Sequence, residues 1–319
     1  MNAKKTIKLG TRGSPLALAQ AKEVKARLLA LHSWLEAPQL EICVISTRGD
    51  QIQDKPLSEA GGKGLFSKEI EETLSQGHID LAVHSMKDMA TLLPTGLEIP
   101  VILPREDVRD AWISKEGITL EQLPLGSVVG TASLRRKALI LQKRPDLDVI
   151  IFRGSVQTRL RKLQEGQADA TLLALAGLKR LDLEDKASMI FPVQEMLPAV
   201  SQGAIGLEVR SDNHKIKELI APLNDPLSFA QITAERALLA ILDGSCRTPI
   251  AAYAEPLGQG RLRLHAFAGT PDGKEAYREC QEGKNPQALG EAVGRALRKK
   301  AGNAFFRALQ DYKETWRAP

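Results

Sequence analysis

Cys246 lies in "LDGSCRTPIA", residues 242–251, one position before Arg247 and three before Pro249. A cysteine used for packing sits inside an apolar run, where its thiol is hidden and inert. Here the flanks are Gly244, Ser245 and a cation, on a loop leaving the apolar helix "AERALLAIL". Such a thiol is reachable, and the neighbouring guanidinium favours the thiolate, so Cys246 is a candidate reactive group. Cys43 alternates within "LEICVIS" and reads as core, and Cys280, in "YREC", reads as edge or core with no role. A second candidate is Asp88, a carboxylate in "HSMKDM" at the end of a predicted strand. Two readings stand for it: a salt bridge or helix cap beside Lys87, or a carboxylate that accepts a substrate N–H and handles protons. His84 fits a packed or hydrogen-bonded strand position better than a ligand role.

The strand-to-helix turns are rich in cations. Arg12 follows the first strand, Lys63 sits in "GGKG", and Lys87 follows "AVHS". Arg135 and Arg136 open a helix, Arg153 follows "VIIF", and Arg159 and Arg180 come soon after. Ligands of open α/β sheets bind at the carboxyl ends of the strands, where these turns gather. Cations at a helix N-terminus oppose the macrodipole by about 0.3–1 kcal/mol each. An anion bound by the free amides and guanidiniums would offset that cost. Any one of these residues could be a solvated surface cation, but the set at strand ends favours an anionic ligand. "GGKG" lacks P-loop spacing and no G-x-G-x-x-G follows a strand, so nucleotide binding is unsupported.

The elements that must position these groups alternate. "TIKLG" reads as a strand, then "SPLALAQAKEVKARLLAL" as a helix with Ser14 at its N-cap and Pro15 in its first turn. "LEICVIST", the helix "LFSKEIEETLSQG" closed by Gly77, and the strand "IDLAVHS" follow, then a turn-rich segment through "LLPTGLEIPVILP". This grammar predicts an α/β domain with a mainly parallel sheet. "REDVRDAWIS" opens a second α/β domain, and "VGTASLRRKAL" there resembles "LGTRGSPLAL" in the first. From about residue 222 a helix, alternating segments such as "RLRLHAFAG", and a last helix predict a smaller α+β domain.

The chain has 319 residues, 43% hydrophobic and 26% charged, which suits a globular protein of two or three domains. "MNAKKTIKLG" has cations without an apolar stretch behind them, and no run approaches the roughly 18 apolar residues of a membrane helix. A cytoplasmic location without membrane association is therefore expected. Three widely spaced cysteines form no disulfide framework or C-x-x-C site, and the five histidines no ligand cluster, so no metal is expected. The net charge of +5 suits an acidic partner. Nucleic acid is disfavoured, because only 4% of residues are aromatic and the cations sit at turns instead of along one face.

Several stretches resemble the porphobilinogen deaminase (hydroxymethylbilane synthase) family: "TRGSPLALAQA", "STRGD", "GGKGLFSKEIE", "DLAVHSMKD", "VVGTASLRRKALI", "LAGLKRL", "PAVSQGAIGLE" and "TAERALLAILDGSCRTPIAAYA". The similarity runs in order from about residue 7 to 255 and more loosely to the C-terminus. It implies an α/β fold of two domains like those of periplasmic binding proteins plus a smaller α+β domain. The second domain would interrupt the first: 1–103 with 204–222, then 104–203, then 223–319. The resemblance implies a transferase that condenses four porphobilinogen molecules head to tail, releasing ammonia, to give hydroxymethylbilane for tetrapyrrole biosynthesis. Cys246 would carry a dipyrromethane cofactor through a thioether, and Asp88 would be the catalytic aspartate. Arg12, Ser14, Lys63, Ser85, Lys87, Arg135, Arg136, Arg153, Arg159 and Arg180 would bind the carboxylates of cofactor and substrate. Thr131 and Ser133 would add hydroxyl donors, and Gln202 lies on the return crossover. Its partners would be porphobilinogen and the growing polypyrrole, handled by a monomer. Glu59 stands where many members carry Lys, Ser155 where Asn is frequent, and Ser201 where Gly is frequent, and "MATLLPTG" is an unusual sequel to the aspartate. The competing reading is a non-catalytic cleft-type binding protein for an acidic small molecule, which would need neither Cys246 nor Asp88.

Overall fold

A computed structural model describes residues 6–51, 65–242 and 248–312. Its first sheet has the order β2-β1-β3-β10-β4. β1 (Ile7–Arg12) pairs in parallel with β2 (Leu40–Ile45) and with β3 (Leu81–Ser85). β10 (Ile205–Arg210) lies antiparallel to β3 and to β4 (Leu97–Ile102). The predicted mainly parallel sheet is thus mixed, and "LEIPVI" is a strand where turns were expected. Pro100 fits there because β4 is an edge strand, where a missing N–H breaks no ladder.

The second sheet repeats this plan in the order β7-β6-β8-β5-β9. β6 (Val128–Gly130) runs parallel to β7 (Asp148–Ile150) and β8 (Ala170–Ala174). β5 (Asp110–Ser114) is antiparallel to β8 and to β9 (Met189–Ile190). In each sheet the antiparallel strand is the one that arrives from the other sheet. The crossovers, residues 103–109 and 191–204, run side by side, with Gln202 donating to the Val108 carbonyl at 2.7 Å.

α1 (Pro15–Leu31) buries Ala17, Ala21, Val24 and Leu28, a spacing of three and four that presents one face to the first sheet. α2 (Arg48–Gln51) is one turn after β2, and α3 (Lys68–Ser75) packs Ile70 and Leu74 on the opposite face of that sheet. α4 (Leu134–Lys143) covers one face of the second sheet, and α5 (Val156–Gln164) and α6 (Leu175–Lys179) the other. α7 (His214–Ile220) returns to the core of the first sheet. The third unit is an antiparallel sheet of β11 (Ile250–Gly258), β12 (Arg261–Gly269) and β13 (Ala276–Gly283). It is packed by α8 (Pro226–Ile241) and α9 (Pro286–Asp311), the latter broken at Gly302. Cys280 lies exposed on edge strand β13, while Cys43 is half-buried against the α3 side of the first sheet.

The return crossover holds an unusual backbone. Ser201 is fully buried at φ 63° with its hydroxyl unpartnered, and Gly203 follows at φ 89°. A Cβ at Gly203 would stand 2.4 Å from the Glu106 carbonyl oxygen of the outgoing crossover. Gly203→Ala is expected to lower stability by about 1–3 kcal/mol, as strained backbone and a backbone clash combine. Ser201→Gly is expected to raise it by up to about 1 kcal/mol, since left-handed strain and an orphaned hydroxyl both disappear. Thermal unfolding of the two variants checks both signs.

Candidate active site

Three helices point their N-termini into one cleft, each capped by a serine from a strand-end turn. Ser14 accepts from Ala17 N–H at 3.3 Å, Ser133 from Arg136 N–H at 3.4 Å, and Ser155 from Thr158 N–H at 3.1 Å. Ser155 thus does at its helix what the frequent Asn would do, since both residues are good N-caps. Between these ends lies a cavity of about 700 Å³, lined from the first unit by Arg12 and Asp88, from the second by Arg136 and Arg153, and from the third by Thr248 and Ile250. Its described charged lining comprises six cations (Arg12, Lys87, Arg135, Arg136, Arg153 and Arg159) against the single carboxylate of Asp88.

Asp88 stands 3.8 Å from the Arg12 guanidinium, which lies 4.1 Å from the centroid of the Phe66 ring. The segment after Asp88 is held by α8: Arg236 donates to the carbonyls of Met89, Ala90 and Thr91. "MATLLPTG" is therefore anchored, and the anchor fixes the aspartate's turn. Burial pushes the Lys87 ammonium down to about 8 against Asp88's opposing attraction, with Arg136 and Arg159 adding repulsion. Burial and the neighbouring Arg136 and Arg153 likewise lower Arg159 to about 10. Cations crowded this way are poised for anions.

Arg135 and Arg136 differ from the expectation that a ligand alone would offset them. Both are buried, and their counter-charge is Asp110 of β5, at 2.7 Å from each guanidinium. Gln202 adds a third donor to Asp110 at 3.0 Å. Burial would raise the Asp110 pKa, but the two guanidiniums overcome it and hold it at about 2. Sequence reasoning missed Asp110 because "RDAWIS" gives it no motif; a carboxylate heading an apolar strand was the available clue.

Other expected residues lie elsewhere. Arg180 does not line the cavity; it bridges Glu23 of α1 at 3.2 Å and the Gly203 carbonyl at 3.1 Å. Thr131 is buried, and its hydroxyl accepts from Ser133 N–H at 3.1 Å, shaping the turn instead of facing the cleft. Ser85 donates to Gln20 at 2.9 Å in a small chamber beside Asp88. Gln202 lines the cleft. Lys63, Glu59 and Cys246 lie outside the described residues, though Leu239, Thr248 and Ile250, described on either side of the cysteine loop, line the cleft. Among the described residues no group of three metal-ligating side chains is assembled, and no helix is long and apolar enough to cross a membrane.

Residues 7–218 match the family model of the porphobilinogen deaminase dipyromethane cofactor binding domain, and residues 229–302 match that of the porphobilinogen deaminase C-terminal domain. The chain belongs to the porphobilinogen deaminase family. The chloroplastic porphobilinogen deaminase of Oryza sativa subsp. japonica is 52% identical over 95% of this chain and 86% of its own. That of Nitrobacter hamburgensis is 52% identical over 93% of this chain and 94% of its own. Among solved structures, an ABC transporter periplasmic binding protein from Brucella ovis with glutathione bound covers 76% of this chain and 70% of its own, at 13% identity and a TM-score of 0.40, too slight a likeness to carry any inference.

The residues present fit the family's cofactor, whose two pyrroles carry four carboxylates. A cavity of about 700 Å³ with six cations against one carboxylate suits a polyanion of that size. Two tests follow. An anion beside Lys87 favours the ammonium, so above about pH 8 a carboxylate-rich ligand should bring a proton with it. Calorimetry of cofactor-free protein with porphobilinogen at pH 8.5, in buffers of differing ionisation enthalpy, should register proton uptake that Lys87→Met abolishes. Removing the counter-charge by Asp110→Asn leaves two buried guanidiniums uncompensated and should cost about 3–5 kcal/mol in denaturant unfolding. Since the Asp110 pKa is depressed, its contribution is present above its ordinary 3.8 and should fade as pH falls toward about 2.

Proposed function

We infer that the cleft catalyses the porphobilinogen deaminase reaction: stepwise head-to-tail condensation of four porphobilinogen molecules, with loss of ammonia, to hydroxymethylbilane. The carrying observation is a single carboxylate, Asp88, set among six cations where three helix N-termini and three folding units meet. In these roles Arg12, Lys87, Arg136, Arg153 and Arg159, with the hydroxyls of Ser14 and Ser133, bind the acetate and propionate groups. Arg135 supports them from the buried side through Asp110. Lys63 belongs to the same set by its place in "GGKG".

The dipyrromethane cofactor, held through a thioether on Cys246, supplies the primer whose free pyrrole α-carbon is the nucleophile. Asp88 accepts the pyrrole N–H of the incoming substrate and orients the ring. Its negative charge stabilises the cation that develops as the amino group of the aminomethyl side chain leaves as ammonia and its methylene carbon stays on the ring, an effect strengthened where water is excluded. The same carboxylate then lies within reach of the proton that the substituted α-carbon must lose. Arg12, 3.8 Å away and stacked on Phe66, holds that carboxylate at the cleft wall.

Residues 1–103 with 204–222, residues 104–203 and residues 223–319 form the three domains of this reading, supported by strand membership of the three sheets. Action as a monomer belongs to the same reading. A cytoplasmic enzyme with no nucleic-acid or membrane partner completes the reading, supported by cations that line a cleft instead of a surface face.

Denaturing intact-mass measurement should give the sequence mass plus one dipyrromethane, an increment absent from Cys246→Ser. Asp88→Asn should keep the increment and lose at least about a hundredfold in turnover. An unmodified mass that persists after incubation with porphobilinogen would leave a binding protein and overturn the reaction.

A further inference from the structure

Behind Asp88 a second cavity of about 60 Å³ opens off the cleft, with Arg12, Ser14, Lys87 and Asp88 lining both. Its wall carries the polar side chains of Ser67, His84, Ser85 and Gln20 among apolar ones that include Leu16, Phe66 and Val83. A space of that size, with those polar partners, has room for about four waters. Ser67 Oγ is buried on this wall beside the Glu71 carboxyl. At the far side His84 Nε2 lies 2.9 Å from Glu208 Oε2, the histidine 5% exposed and the glutamate fully buried. Glu208 Oε1 is a second buried oxygen without a partner.

We propose that this chamber is a proton relay, in which ordered water carries the proton taken up by Asp88 to the buried His84–Glu208 pair and later returns it. The inference rests on the deaminase reading, because only the condensation loads Asp88 with a proton. Substitution at the pyrrole α-carbon breaks a C–H bond whose electron pair restores the ring, and the proton passes to the Asp88 carboxylate. Asp88 must be ionised again before the next round, while the cleft beside it is filled with polypyrrole. A side chamber lets the proton leave without opening the cleft. The contact of His84 Nε2 with Glu208 Oε2 at 2.9 Å gives the relay its inner end. The proton then passes to the amine nitrogen of the next porphobilinogen, which departs as ammonia, so that each round moves one proton from carbon to nitrogen, releases one NH3 and leaves the enzyme unchanged. The charged groups facing the pair are Glu71 of α3 and Arg236 of α8, with Arg12 and Lys87 at the chamber mouth. Burial raises the Glu71 carboxyl, against the Ser67 hydroxyl, so this neighbour adds less negative charge than an exposed glutamate would. His84 and Glu208 act through Asp88 and are positioning residues by this account.

The test compares wild type with His84→Gln, which keeps a side chain able to bond Glu208 but cannot carry a proton. In cofactor-loaded enzyme the variant should lose about tenfold or more in kcat. Its KM should stay within about twofold, with thermal unfolding and the covalent mass increment near those of wild type and an altered solvent isotope effect. A folded variant with unchanged kcat and isotope effect overturns the relay. Should His84→Gln fail to fold, single-turnover rates of wild type in mixtures of H2O and D2O decide instead. A bowed dependence on deuterium fraction, from several protons moving together, supports the relay, and a straight line overturns it. Wild type that shows no mass increment and releases no ammonia from porphobilinogen would sink the deaminase reading itself, an outcome visible before any variant is made.

Discussion

Everything in the cleft depends on one buried carboxylate. Asp110 opens the strand by which the chain enters the second sheet, and it receives both guanidiniums from the first turn of α4. Without it, two adjacent cations would be buried against each other at the positive end of a helix, a doubly unfavourable placement. With it, they hold a fixed geometry at the cleft wall, Arg135 on the Leu197 carbonyl and Arg136 on that of Leu172. Gln202 ties the same carboxylate to the return crossover, so the wall and both crossovers are set by one group. A binding surface for anions is costly to build, because its charges repel before the ligand arrives. Here the repulsion is partly cancelled from behind, leaving the front available.

A second buried pair fixes the third unit to the same place. Glu235 of α8 accepts two bonds from Arg105 at 2.6 and 3.0 Å, and one each from Ser201 N–H and Ala254 N–H. Arg105 also donates to the Gln202 carbonyl, so the outgoing crossover, the return crossover and β11 converge on one ion pair. Buried charges seldom add net stability, but removing one partner is costly, and such pairs fix geometry. That geometry sets Leu239 of α8, Thr248 before β11 and Ile250 in β11 on the cleft lining. Arg180 extends the same logic across the units through Glu23, which explains why a residue matched by motif is placed as a strut.

The alternation of strands and helices was plain in the sequence, because each element carries its own period and its own cap. Ser14 could be placed at a helix start before any coordinates, while the capping by Ser133 and Ser155 came only with the structure. Strand order was not legible. Nothing local in "IGLEVR" says that it inserts antiparallel beside "LAVHS", since that pairing joins residues more than a hundred positions apart. Pro100 hid β4, because proline argues against a strand unless the edge position is known. The cations at strand ends were legible as a set, yet their individual places were not: whether an arginine lines the cleft, like Arg153, or braces a domain, like Arg180, depends on which carboxylate the fold brings near. Asp110 and Glu208 escaped for the same reason, and for His84 a hydrogen-bonded strand position was legible but its partner Glu208 was not.

The charge arrangement also bears on how the protein and its cofactor depend on each other. A cleft that lowers the Lys87 ammonium to about 8 and the Arg159 guanidinium to about 10 holds cations at a cost. Filling it with carboxylates reverses the sign of those interactions, and whatever binds only the folded state adds to its stability. A covalent polyanion never dissociates, so it acts as a permanent counter-charge and not only as a primer. It follows that the cations were free to be placed for grip on successive substrates, because the apo state need only be stable enough to acquire its cofactor. The one carboxylate among them in the described lining, Asp88, then stands between Arg12 on one side and the small side chamber on the other.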